Sequence, residues 1–152
     1  MAKFLSVRKT LEVCRSLGWL IGKVEQPANY RRSGLQGASD LFGFADLVAI
    51  VPGKPGTLYL QVTAGGNGSV RVDKMLDFED GVADAVQTVL NAGNYVEVWD
   101  WVVRSPRGTK RKFRDAIRWQ LSTQFDELVA ERVQDFSEFA VDWSKSFREI
   151  VG

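Results

Sequence analysis

Asp46-Leu47-Val48-Ala49-Ile50-Val51, then Pro52-Gly53-Lys54-Pro55-Gly56, then Thr57-Leu58-Tyr59-Leu60-Gln61-Val62-Thr63, is the stretch on which the fold turns. Two β-rich runs flank a turn of five residues built from proline and glycine, so the spacing predicts a hairpin. A strand repeats every two residues, which places Gln61 and Thr63 on one face and Val62 on the other. A hairpin of this length brings Asp46 near the end that carries Gln61 and Thr63. A carboxylate, an amide oxygen, a hydroxyl and the Val62 main-chain carbonyl can then converge. These are hard oxygen donors, suited to Mg²⁺ or Mn²⁺. The plainer alternative is that Asp46 serves as a turn residue and Thr63 as a good strand former. Gln61, set between Leu60 and Val62, needs a partner if it is buried.

The elements on either side extend the pattern. Val7, Leu11, Cys14 and Leu17 recur at helical spacing ahead of Gly18, predicting a first amphipathic helix. Residues 19–24 read as a strand and residues 30–40 as a glycine-rich basic loop. A second glycine-rich loop spans 64–69. A helix is expected from Val72 to Asn91, with Gly93 as its left-handed terminator. Tyr95 to Val103 alternates as a strand, Arg104 to Lys112 reads as a basic turn, and residues 113–130 and 135–149 read as helices. That order predicts one α/β domain over residues 1–152 with a mixed sheet, a core at about 7–103 and a helical extension at about 113–150.

Composition limits the chemistry. The chain has 152 residues, no histidine and one cysteine. Histidine-based nucleophilic triads, histidine or thiolate zinc sites and internal disulfides are therefore excluded. Lys and Arg total 20 against 19 Asp and Glu, but they are unevenly spread. Residues 1–75 hold 10 basic and 5 acidic side chains, residues 104–118 hold 7 and 1, and residues 119–152 hold 3 and 7. A polyanion suits the first two zones and not the last. No apolar run reaches membrane-spanning length. The basic, apolar N-terminus is interrupted by Glu12 and Arg15, so it reads as a cytoplasmic helix, not a signal peptide. Neither glycine loop matches a dinucleotide or P-loop motif.

The run Asp40-Leu41-Phe42-Gly43-Phe44-Ala45-Asp46-Leu47-Val48-Ala49-Ile50, followed by Leu58 to Thr63 and by Arg71-Val72-Asp73-Lys74, resembles the PD-(D/E)XK nuclease superfamily. It is similar to the Holliday-junction-resolvase-like and phage-type members. The resemblance implies a restriction-endonuclease-like core of helix, three-stranded antiparallel meander, helix and strand, and metal-dependent hydrolysis of DNA. It places the first motif acid on Asp46, preceded here by Ala45 in place of proline, and the second acid on Gln61. The family's lysine position falls on Thr63, a departure that Lys74 on the following helix would offset. Glu12, with Glu25 as runner-up, is the helix-borne acid it implies. Asp40 either ligates or caps the turn that presents Gly43.

Substrate contacts are expected from Arg31, Arg32 and Ser33 on one side and from Asn67, Ser69 and Arg71 on the other. Arg104, Arg107, Lys110, Arg111 and Lys112 form a candidate ridge along a DNA backbone. Val96 and Val98 are expected to face the core. Trp99 and Trp101 take the other parity, under the C-terminal helices or a second subunit, which suggests a homodimer. No organic cofactor or membrane partner is implied. Two rival readings are a decayed nuclease fold that only binds DNA, and a viral or mobile-element interaction or inhibitor protein.

Overall fold

The apolar runs on either side of the 52–56 turn pair antiparallel, with Leu47 opposite Leu60 and Ala49 opposite Leu58. In the computed structural model, which describes residues 2–24, 40–104 and 113–133, they are β2 (Leu47–Ile50) and β3 (Leu58–Ala64). Ahead of them come α1 (Ala2–Ser16) and β1 (Leu20–Lys23). After them come α2 (Gly68–Met75), α3 (Val82–Asn91), β4 (Tyr95–Arg104), β5 (Phe113–Gln124) and β6 (Glu127–Val133). The strands form one sheet in chain order, β1 to β6. All neighbours are antiparallel except β3 and β4, which run parallel because α2 and α3 carry the chain back across the sheet. Over the described residues the architecture is α/β with a six-stranded mixed sheet and three helices.

Each face of the sheet has its own core. On one side Val7, Leu11, Val13 and Cys14 of α1 pack on Leu47, Leu58, Leu60, Val62, Trp99 and Trp101. On the other, Val72 and Met75 of α2 and Val86 and Val89 of α3 pack on Val96, Val98 and Leu121, together with Phe44 and Ala45. The even residues of β4 therefore face α2 and α3, and the odd ones face α1. Trp99 and Trp101 are sealed by α1: Trp101 donates its indole N–H to Thr10 Oγ1 at 2.8 Å, and Trp19 meets the Trp99 ring edge-on at 6.3 Å. This corrects the expectation that C-terminal helices or a second subunit cover that pair.

Two further elements differ from the sequence reading. The helix expected over 72–91 is two helices, because residues 76–81 hold competing local hydrogen bonds. Asp77 Oδ1 accepts from the Glu79 amide and Asp80 Oδ1 from the Val82 amide, and Gly81 takes a φ of 84°. Residues 113–130 are not helical but form most of the β5–β6 hairpin, with Gln124 opposite Glu127. Its two-residue turn, Phe125-Asp126, has φ values of 51° and 65°. Such turns ordinarily use Asn or Gly, so the usual hairpin signal is missing here. The helix expected over 135–149 lies outside the described residues. Among the described residues no helix is long and apolar enough to cross a membrane.

One ion pair is buried beneath α1. Arg118 Nη2 and Nε donate to Glu97 Oε1 at 2.6 and 3.0 Å, and the Trp99 indole N–H reaches the same oxygen at 3.1 Å. Both side chains are shut off from water, so their attraction must offset two desolvation costs. Nearby, burial pushes the Cys14 thiol far above its ordinary range; Glu97 adds to that rise and Arg118 opposes it. Replacing Arg118 alone by Met is expected to cost about 3–5 kcal/mol in urea unfolding, while Glu97→Leu with Arg118→Met should recover most of the loss. Equal losses in the single and double variants would refute this account. Cys14 should resist maleimide at pH 8 until the chain unfolds, so labelling and loss of tryptophan signal should rise together.

Candidate functional site

β2 has four residues and β3 has seven, so the end of β3 outruns its partner. The Val62 amide falls in that overhang. It donates to Asp46 Oδ2 at 2.9 Å, and the Asp46 amide donates to the Leu60 carbonyl at 2.8 Å. The Asp46 carbonyl accepts from Val24 at 3.1 Å, which ties the same residue to the end of β1. Asp46 is 1% exposed. A buried carboxylate thus closes the open end of the hairpin, bonded to the residue between Gln61 and Thr63.

Gln61 and Thr63 are also buried, on the face covered by α2 and α3. Gln61 donates its side-chain N–H to Asp40 Oδ2 at 3.3 Å. The amide is thereby oriented with its nitrogen toward Asp40, which leaves Oε1 with both lone pairs for another donor or a cation. Asp40 is brought over the strand by a tight turn. Gly43 and Phe44 donate to the carbonyls of Asp40 and Leu41, and Leu41 bridges Ala45 in both directions. Phe42 and Gly43 both have positive φ, 57° and 82°. A side chain on Gly43 would also press on Val82 at 3.2 Å, so glycine is required twice over at this position.

Beyond Thr63 the glycine loop is held from β4. Asp100, directly beside Thr63 in the parallel register, accepts from the Gly66 and Gly68 amides at 3.2 and 3.0 Å. The second of these is a free amide of the first turn of α2, where a carboxylate is favoured. Asp100 is 2% exposed. Sequence reading missed it as a site residue, although an acid on the parity of Val96 and Val98, level with a glycine loop, is the signal that marks it.

The remaining expected residues are scattered. Lys74 is exposed on α2, whereas Gly68, Val72 and Met75 face the sheet and Arg71 beside them is half-buried. Arg71 and Ser69 therefore belong to a helix, not a flexible loop. Asn67 donates its side-chain amide to the Ala64 carbonyl at 2.8 Å, and Asn67 and Ser69 are exposed. Glu12 sits on α1, across the sheet from Gln61, and pairs with Arg8 at 3.3 Å and Lys9 at 3.6 Å. No hydrogen bond among the described residues joins it to Asp40, Asp46 or Gln61. Glu25, Arg31, Arg32, Ser33, Arg107, Lys110, Arg111 and Lys112 lie outside the described residues, as does the side chain of Arg104.

Among the described residues no three Asp, Glu, Cys or His side chains come together as a metal cage. The oxygen donors near the hairpin end are the carboxylates of Asp40 and Asp46, the Gln61 amide and main-chain carbonyls. That set fits a hard, weakly held divalent ion better than zinc. The fold and this group define an α/β domain with a polar, buried hairpin end. No family model, curated protein or solved structure matches the chain.

Gly68 tests how tightly the loop is fixed. A methyl group there would meet Asp100 Cβ at 2.9 Å and the Trp119 indole nitrogen at 3.0 Å. Gly68→Ala should destabilise the fold by about 1–3 kcal/mol, and Asp100→Ala by a similar amount through two stranded amides. Urea unfolding checks both; neutral values would mean that the loop readily reseats.

Proposed function

We propose that this chain is a Mg²⁺- or Mn²⁺-dependent DNA endonuclease with a restriction-endonuclease-like core. The observation that carries the reading is Asp46, buried at the hairpin end and hydrogen-bonded to the residue that follows Gln61. The order of α1, a three-strand antiparallel meander, α2 and α3, and a parallel β4 is also the order that the PD-(D/E)XK resemblance implies. β5 and β6 would then be additions to that core.

Asp46 supplies the negative charge that holds a divalent cation, with Gln61 Oε1 and the Val62 carbonyl as neutral ligands. Asp40 orients Gln61 and adds a second carboxylate close by. A bound Mg²⁺ or Mn²⁺ supplies Lewis-acid polarisation of the phosphate and a more acidic water. Positive charge opposite the reacting phosphate stabilises the charge that builds up in the transition state. Arg71, half-buried beside the sheet-facing stripe of α2, suits that role better than the exposed Lys74. Asp100 keeps α2 and the glycine loop in place for it. Glu12, across the sheet and engaged with Arg8 and Lys9, has no part in this scheme. With two carboxylates and an amide, affinity for the ion should be weak, so activity should need millimolar metal.

Labelled junction, flap, single-stranded and duplex DNA, each incubated with Mg²⁺ or Mn²⁺, provide the test. Asp46→Asn keeps an acceptor for the Val62 amide but loses the charge, and should lower cleavage about 100-fold or more. Gln61→Ala and Asp40→Asn should lower it about 10- to 100-fold. Arg71→Ala should cost more than Lys74→Ala. Cleavage that persists in EDTA or in Asp46→Asn would sink the proposal. Binding without cleavage on every substrate would favour a fold retained for DNA binding alone.

A further inference from the structure

The turn that carries Asp40 and leads to Asp46 also carries an aromatic ring that the fold leaves in the open. Phe42 is 52% exposed although its backbone sits at a φ of 57°, a conformation that bulky side chains rarely adopt. Glycine or asparagine would satisfy the same turn without strain. The ring is not loose: it packs on Tyr59 at 6.1 Å, and Tyr59 packs in turn on the buried Phe44 at 6.5 Å. Tyr59 lies two residues before Gln61 and so on the same face of β3. An aromatic ladder thus climbs from the core to the surface and ends in a supported ring two residues from Asp40. Phe125 has a similar backbone but sits at a hairpin tip, fully exposed, and makes no ring contact among the described residues.

From this arrangement we infer that Phe42 is a stacking platform for an unpaired nucleobase flanking the phosphate held at the Asp40–Asp46–Gln61 end. The inference rests on the nuclease reading and adds a substrate class to it: strands with unstacked bases, such as single-stranded, flap or junction DNA. A base in a continuous duplex already has both faces stacked, whereas an unpaired base can lay one on the ring. The strained backbone holds that ring outward at a position where an unstrained turn residue would offer none.

Fluorescence anisotropy with Ca²⁺ as the divalent ion separates the possibilities, using a single-stranded oligonucleotide, a flap and a fully paired duplex. Phe42→Gly and Phe42→Asn both tolerate positive φ, and the relief of backbone strain offsets the packing lost against Tyr59. Thermal unfolding should therefore show both still cooperatively folded and close in stability to the unchanged chain. Both should bind the single-stranded and flap substrates about tenfold more weakly, with less than a twofold change on duplex. Phe42→Trp should bind at least as tightly as the unchanged chain. Equal weakening on duplex, or none on unpaired substrates, overturns the platform while leaving the nuclease reading intact. Failure of the unchanged chain to bind any of the three overturns both.

Discussion

A strand that outruns its neighbour leaves main-chain donors with no partner, and a buried N–H without one is costly. β3 is three residues longer than β2, and the hydrogen bond from Val62 to Asp46 meets that demand at the hairpin end. Much follows from it. Asp46 must be an acceptor, must lie where β2 begins, and must be buried. Its own carbonyl then anchors β1 through Val24. On the nuclease reading proposed above, the carboxylate that completes the sheet is also the one that would hold the metal, so structural and chemical demands would fall on a single side chain.

A similar economy governs the other end of the loop. Asp100 serves two amides of the glycine loop and the start of α2, and so links the parallel strand to the helix that crosses over it. Gly68 is what lets that carboxylate approach so closely. On the opposite face Glu97 and Arg118 form a charged pair among tryptophans, where apolar side chains would meet the same packing need. The pair ties β4 to β5 on the face that α1 covers.

The hairpin, the first helix, the strand from Tyr95 and the terminator Gly93 were all legible, because each rests on local period or on a turn residue with one conformational role. The hairpin of β5 and β6 was not. Ile117, Trp119 and Leu121 do alternate, but Arg118 on the intervening parity is buried by an ion pair with a residue 21 positions earlier, which spacing cannot reveal. Its turn uses Phe125-Asp126, which carries no turn signature. The break between α2 and α3 was hidden because Asp77 and Asp80 look like ordinary helix-surface acids until their side chains accept local amides. At the candidate site, the nearness of Asp46 to Gln61 was legible from the hairpin, whereas the hydrogen bond from Gln61 to Asp40 depends on the turn that folds residues 40–45 back over the strand. Asp100 required the parallel register across α2 and α3, and the exposure of Lys74 required knowing which side of a short helix meets the sheet.

The single parallel pairing has a consequence for how the chain reaches this structure. The β2–β3, β4–β5 and β5–β6 pairs close short connections, whereas Leu58 must find Tyr95 across the whole α2–α3 crossover and Lys23 must find Leu47 across residues 24–46. The short-linked pairs can zip outward from their connections, whereas the β3–β4 and β1–β2 seams each demand closure of a long loop before any of their hydrogen bonds forms. The conformational search is therefore concentrated at those two seams. The β2–β3 hairpin and the β4–β6 meander assemble locally, and the docking of β1 and of these two units along the seams completes the sheet.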